Sequence, residues 1–252
     1  MSKVYTIGSL FSGIGGLEIG LERTGRFKTL WNSDNDEYCQ GILKKIWPDC
    51  PVYGDVKSVR VENEIQKVDV ICGGFPCQDL SLARNNRGPG DLGKGLEGPK
   101  SGLYREFMRI IEEFKPKGFI MENVPVLVNR GLGIILNEAS QLGYDVEWHV
   151  VSAKSVGGPH LRKRVFIMGY ANSSHPQGKR ESIGVQQEQS DTDGPSYRRP
   201  DKTWPTEPGV CRVVDGVPNW SHRVRALGNA VVPKVSELVG YRMLDLLDKS
   251  CL

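Results

Sequence analysis

Short apolar runs of strand character alternate with segments of helical periodicity along the first two-thirds of the chain. Each run stops at glycines or other turn residues. Val4–Leu10 is the first run, broken by Phe11-Ser12-Gly13-Ile14-Gly15-Gly16, after which Leu17, Ile19 and Leu21 open a helical segment. Thr29–Asn32 reads as a second strand and Tyr38–Ile46 as a helix halted before Pro48. Val68–Cys72 is a third strand, ending in Gly73-Gly74-Phe75-Pro76-Cys77. Leu103–Phe114 predicts a helix, because Leu103, Phe107, Ile110, Ile111 and Phe114 share one face. Gly118–Met121 is a further strand, Ile134–Leu142 a helix, Tyr144–Val151 and Arg164–Met168 strands, and Val231–Leu247 a closing helix. Such alternation implies a doubly wound, mostly parallel α/β sheet, with ligands at the carboxyl ends of the strands.

Two stretches break the pattern. Residues 78–102 hold six glycines and few apolar residues, the composition of a lid that follows Cys77 directly. Residues 172–209 are rich in Ser, Gln, Gly, Pro and charge and read as loop or a small irregular module. The expected organisation is therefore a first domain over 1–171, a reduced irregular region over 172–222, and a segment over 223–252 returning to the first domain. At 252 residues the chain can bury a core without staples. The six cysteines form no CxxC pair, which argues for free thiols and against a metal or disulfide framework. No run of about 18 apolar residues predicts a membrane span, and the first residues lack the pattern of a secretory signal.

The net charge of +3 is unevenly placed. Residues 151–225 carry twelve Lys and Arg against seven Asp and Glu, while the remainder is slightly acidic. A basic C-terminal third on a near-neutral body is consistent with a docked polyanion and equally with a solvated face.

The turn after the first strand runs G-x-G-G, with Glu18 where a dinucleotide fingerprint would need its third glycine. An acid near the helix start is wrong for a pyrophosphate. Asp34, at the end of the second strand, could take a pair of ribose hydroxyls, so a nucleoside without phosphates fits better than a dinucleotide. A tight structural turn remains the alternative. Cys77 follows a strand and Pro76 and precedes the glycine-rich lid; it reads as a nucleophile or as a small buried hydrophobe. Glu122, after Phe119-Ile120-Met121, is a carboxylate at the end of a buried strand, costly unless used or paired. Two strand ends thus offer a thiol and a carboxyl to one cleft, a nucleophile and a general acid.

Five collinear blocks then stand out: Phe11-Ser12-Gly13-Ile14-Gly15-Gly16, Gly74-Phe75-Pro76-Cys77-Gln78, Glu122-Asn123-Val124, Arg162-Lys163-Arg164, and Gly228-Asn229-Ala230-Val231-Val232-Pro233. In this order they resemble the DNA (cytosine-5)-methyltransferase family, and the resemblance covers most of the chain outside 172–222. It implies a Rossmann-like fold of the S-adenosylmethionine-dependent type and transfer of a methyl group to C5 of cytosine in double-stranded DNA. In that family the residue at Cys77 adds to C6 of a flipped base and the residue at Glu122 contacts N3. The resemblance puts Arg162 and Arg164 beside them, Arg164 holding the base and Glu122. It maps the S-adenosylmethionine pocket onto Phe11, Gly13, Ile14, Gly15, Gly16, Asp34, Asn35, Asp55, Val56, Pro76, Leu103, Asn229 and Val231. Gln78 and Ser81 match DNA-facing positions of the lid, and Arg84 and Arg87 are candidates for phosphate contacts. No metal is implied. A monomer in the cytoplasm of a bacterium or phage-infected host is expected, with restriction-modification as one setting.

Two departures accompany the resemblance. His160 stands where the family usually has Gln before its arginine pair. Between Gly169 and Gly228 lie only about sixty residues where the family places a target-recognition domain, with Cys211-Arg212-Val213-Val214-Asp215-Gly216 in place of a recognisable block. The resemblance makes 1–171 the catalytic and cofactor-binding domain and 172–222 a reduced target-recognition region. A segment that small presents few base-edge contacts, so a recognition site of roughly two to four base pairs, or a relaxed context preference, is expected.

Overall fold

The computed structural model describes residues 3–76, 102–171 and 226–249. Among these, seven strands form one sheet in the order β3-β2-β1-β4-β5-β7-β6. They are β1 (Tyr5–Leu10), β2 (Phe27–Ser33), β3 (Val52–Tyr53), β4 (Val70–Gly73), β5 (Gly118–Asn123), β6 (Tyr144–Ser152) and β7 (Lys163–Ala171). The first five pair in parallel, and β7 runs antiparallel to both β5 and β6. The expected doubly wound, mostly parallel architecture is what the chain adopts.

Strand periodicity explains how the helices divide between the two faces. Tyr5 and Ile7 of β1, Val70 and Cys72 of β4 and Ile120 of β5 point to one side. There they pack against Leu17 and Leu21 of α1 (Gly16–Glu22) and against Val235, Val239 and Met243 of α6 (Pro233–Lys249). Leu10, Ile71, Phe119 and Met121 point to the other side, against α3 (Gly102–Phe114) and α5 (Leu132–Gln141). Phe107, Ile110 and Ile111 of α3 are fully buried, each contributing roughly 1.5–3 kcal/mol relative to exposure. Two further helices are short: α2 (Glu37–Ile46), whose first amides at Tyr38 and Cys39 donate to Asp36 Oδ1, and α4 (Leu127–Arg130).

Besides shifts of one to three residues at element ends and the unexpected α4, both β3 and the closing helix differ from the sequence-based expectation. β3, only two residues long, carries no periodicity that a window could detect. The closing helix starts at Pro233, not Val231, since proline suits a first helical turn and pushes its predecessor towards extended backbone. Among the described residues no helix is long and apolar enough to cross a membrane. Cys39, Cys50 and Cys72 are free thiols.

Candidate active site

Because β1 to β5 run in parallel, their carboxyl ends share one edge of the sheet. The antiparallel β7 begins at that edge, with Val165 opposite Asn123 and Phe166 opposite Glu122. This register sets Arg164 beside the end of β5. Its Nε stands 2.8 Å from Glu122 Oε1, an ion pair in which the acid is almost fully enclosed. Burial pushes the Glu122 carboxyl above its ordinary value, and the charges of Arg164 and Arg162 oppose the shift without cancelling it. Arg162 Nε and Nη2 are buried and have no hydrogen-bond partner among the described residues. Two guanidinium donors are thus available for an oxygen outside the set described.

The segment leaving β4 lies against the same carboxyl. Asn123 Nδ2 donates to the Phe75 carbonyl at 3.1 Å, and a Cβ on Gly74 would sit 2.6 Å from Glu122 Oε2. Only a residue without a side chain lets this backbone pass so close to the acid. Phe75 anchors the segment in the core beside Tyr104, and Pro76 is exposed. Cys77, Gln78, Ser81, Arg84 and Arg87 follow outside the described residues, as does the whole region 172–222.

At the other strand ends, the turn after β1 places Phe11 in the left-handed region at φ 53°, a conformation that costs roughly 1–2 kcal/mol for a side-chain-bearing residue. Such strain persists where the surroundings impose it. Here the Gly13 amide donates to Asp34 Oδ2 at 2.7 Å, and Asp34 Oδ1 accepts the Asp36 amide at 2.9 Å. Burial raises the Asp34 carboxyl, and these two amides pull it back. Each Asp34 oxygen keeps a second lone pair, so the group can still accept hydroxyls. Asn35 is exposed next to it.

β3 delivers Gly54 and Asp55 to the same neighbourhood. Ser33 Oγ donates to the Gly54 carbonyl at 3.0 Å, and the Asp34 amide to the Tyr53 carbonyl at 3.0 Å. Asp55 is exposed and caps the following turn through Lys57 N, whereas the Val56 side chain is buried in the core. Leu103 of α3 and Phe11 pack against that same apolar cluster. From the far end of the chain, the Val231 carbonyl occupies the space a Cβ of Gly16 would need, and Ser236 Oγ donates to the Gly16 carbonyl at 3.0 Å. Asn229 is exposed two residues earlier.

Comparison with known proteins adds a family to this geometry. A model of the C-5 cytosine-specific DNA methylase family matches residues 5–211. The chain belongs to that family. It is 36% identical over 181 residues to the type II methyltransferase M.AquIA of Picosynechococcus sp., spanning 64% of this chain and 70% of that one. It is 33% identical over 175 residues to M.Bsp6I of Bacillus sp., spanning 67% and 53%. Among solved structures, a chain described as a DNA modification methyltransferase encoded within an E. coli prophage superposes with a TM-score of 0.53 at 28% identity, over 66% of this chain and 46% of that one. The Entamoeba histolytica methyltransferase EhMeth shares the fold, with a TM-score of 0.57 at 20% identity, over 74% of this chain and 58% of that one. Apart from M.AquIA, these relatives are matched over about half their length.

Within this family member, the sequence reading missed Arg109 and Ser9 and the burial of Glu18 and Ser12. Arg109 of α3 donates through Nη2 to the carbonyls of Val59, at 3.0 Å, and Val56, at 3.3 Å, bracing the turn that bears Asp55. Glu106 and Glu113, both 2.7 Å away, orient it. Its only sequence signal is a charge on the flank of an amphipathic helix, indistinguishable from a solvated one. Ser9, Ser12 and Glu18 form a buried polar group under the glycine turn. A serine in an apolar strand, and an acid in the first turn of a helix that packs on that strand, were the available signals.

Proposed function

We propose that the chain transfers a methyl group from S-adenosylmethionine to C5 of cytosine in duplex DNA. The carrying observation is Glu122: a buried carboxyl of raised pKa at the end of β5, ion-paired to Arg164, and in touch with the segment that leads into Cys77.

Cytosine C5 is a poor nucleophile until the ring is converted to an enamine. Cys77, as thiolate, adds to C6, and Glu122 gives its proton to N3, so the electron pair of the 5,6 double bond becomes available at C5. Arg164 holds the Glu122 carboxyl, and the free donors of Arg162 are suited to a carbonyl or phosphate oxygen of the target nucleotide. After methylation, which leaves S-adenosylhomocysteine, a base removes the C5 proton, the thiolate leaves C6 and N3 returns its proton to Glu122, restoring the aromatic ring and the free enzyme. Nucleophilic addition divides one difficult step into two.

The strand-end turn fits the nucleoside. Asp34 retains acceptor capacity for two hydroxyls, and residues 11–16, 34–36 and 53–56 contain no Lys or Arg for a phosphate. Phe11, Gly13, Ile14, Gly15, Gly16, Asp34, Asn35, Asp55, Val56, Pro76, Leu103, Asn229 and Val231 are assigned to hold S-adenosylmethionine. When bound, it supplies an electrophilic methyl group on a sulfonium centre. Gln78, Ser81, Arg84 and Arg87 are assigned to the DNA, whose target base must leave the stack at a cost of a few kcal/mol. Region 172–222 is assigned to target recognition, and the enzyme is taken to act as a monomer inside the cell.

Methyl-labelled S-adenosylmethionine offered with duplex DNA, single-stranded DNA or tRNA tests this. Label is expected in duplex DNA, at C5 of cytosine. Label in tRNA alone would make the substrate RNA, and DNA binding without any label would make the chain an inactive relative.

The close approach at Gly74 yields a second expectation. In Gly74→Ala, the new methyl group displaces the Glu122 carboxyl, the movable end of its side chain. Since about 1 Å of misplacement can cost about 10²-fold, the single-turnover methylation rate should fall by that order with little change in the thermal unfolding midpoint. A wild-type rate would show that the acid has room to spare.

A further inference from the structure

The first turn of α1 carries an acid with no access to solvent, and the reaction just described makes no use of it. Glu18 is completely buried. Ser9 of β1, also completely buried, donates its hydroxyl to Glu18 Oε1, and Ser12 Oγ lies 2.9 Å from Ser9 Oγ. Ser12 Oγ accepts the Ser33 amide at 3.3 Å and also lies 3.3 Å from the Ser33 carbonyl oxygen. An unbroken line of hydrogen bonds therefore runs from α1, through β1 and the glycine turn, to the residue preceding Asp34. Glu18 Oε2 has no partner among the described residues.

We propose that Glu18 is a positioning residue for the S-adenosylmethionine turn, acting through the Ser9 and Ser12 hydroxyls to hold residues 11–16 against the end of β2. The proposal rests on the cofactor reading of that turn.

Each hydroxyl in the line has one proton, so the proton on Glu18 dictates the direction of the whole line. With Glu18 ionised, Ser9 donates to the carboxylate and Ser12 donates to Ser9, leaving Ser12 Oγ to accept the Ser33 amide. These bonds end on a charge, which strengthens them. With Glu18 protonated, the carboxyl donates to Ser9, Ser9 to Ser12, and Ser12 to the Ser33 carbonyl, which already accepts the Ser12 amide. The ionised arrangement holds the turn more firmly.

Burial pushes the Glu18 carboxyl up to about 7, against the Ser9 hydrogen bond that lowers it. Of the charged groups facing it, Glu22 on the same helix and Asp34 at the end of β2 add to the rise. Burial and Glu18 hold the Cys72 thiol of β4 well above its usual range, so it stays neutral. Ser236 of α6 donates to the Gly16 carbonyl, on the same helix as Glu18.

Calorimetric titration of the full chain with S-adenosylmethionine, between pH 5.5 and 8.5, tests the proposal. Wild-type affinity should rise with pH through about 7, by roughly threefold to tenfold, tenfold being the signature of a one-unit drop in the Glu18 pKa on binding. Glu18→Gln, of the same shape but never charged, should stay at the weak low-pH value throughout. Ser12→Ala, which leaves Glu18 in place and cuts the line, should be equally weak and flat. A merely structural Glu18 would alter unfolding without altering this profile. Either variant keeping the wild-type profile overturns the proposal.

Absence of S-adenosylmethionine binding by the wild-type chain would be the failure of the cofactor reading instead. The buried titration has its own readout in that case. An acid whose pKa is raised by folding ionises first in the unfolded chain, so stability falls as pH rises from about 4.5 to about 7. Glu18→Gln should therefore gain in unfolding midpoint over wild type as pH rises across that window. A constant difference would overturn the titration on which the relay depends.

Discussion

Cys77→Ser is expected to abolish methyl transfer, by on the order of 10⁴-fold or more, while S-adenosylmethionine still binds. A serine hydroxyl is far less acidic than a thiol and is almost never ionised at neutral pH, so addition to C6 fails. Binding should persist because, of the residues assigned to the cofactor, only Pro76 belongs to the segment that follows β4, and the others lie at the ends of β1, β2 and β3, on α3 and before α6. Duplex DNA carrying 5-fluorocytosine should trap the wild-type chain as a covalent adduct, since the C5 fluorine cannot leave as a proton, and the serine variant should form none. The measurements are single-turnover methylation, calorimetric titration and a denaturing gel. Wild-type turnover by the serine variant would overturn the covalent mechanism.

Glu122→Gln should lower the single-turnover rate by about 10²–10⁴-fold, with a much smaller effect on DNA binding. The amide keeps the size of the side chain and one acceptor for Arg164, yet it has no proton to give to N3. The pH dependence follows from the sign of the shift. A carboxyl raised by burial keeps its proton above the ordinary carboxylate range and loses it as pH climbs further, so the Glu122 contribution to the rate falls on the alkaline side. The Gln variant should lack that alkaline limb. An unchanged rate would leave Glu122 as a strand-end acid held for structure.

Glu122 was legible because it follows Gly118–Met121, a strand that the sequence marks plainly, whereas Cys77 lies outside the described residues, four positions past the end of β4. Val68–Cys72, apolar but for Asp69, and Gly118–Met121 are short runs next to glycines, and such runs have few alternatives to a buried strand. The helix over Leu103–Phe114 was equally plain, since a five-residue apolar stripe needs no tertiary information to declare its face. The acid at position 18 was legible as a misfit to a dinucleotide fingerprint in the glycine turn.

That same acid shows where the reading stops. In sequence, Glu18 is a negative charge near a helix start. In the fold it is enclosed with Ser9 and Ser12, and its pKa has risen to about 7. Burial depends on which helix covers which strand, and no local pattern encodes that. β3 is the opposite case, two residues whose strand identity comes entirely from pairing with Asn32 and Ser33.

What the sequence determined by itself is therefore the class of the sheet, the positions of its main strands, and the family to which the chain belongs. Local periodicity and short-range turn chemistry suffice for these. The tertiary structure alone decided the reversed direction of β7, which brings Arg164 to Glu122 from 42 positions further along the chain. It alone decided the approach of Gly74 to the same carboxyl, the bracing of the Asp55 turn by Arg109, and the enclosure of Glu18. Each of these joins residues from different elements, and their energies arise from desolvation and contact across the sheet, quantities that exist only once the chain has closed on itself.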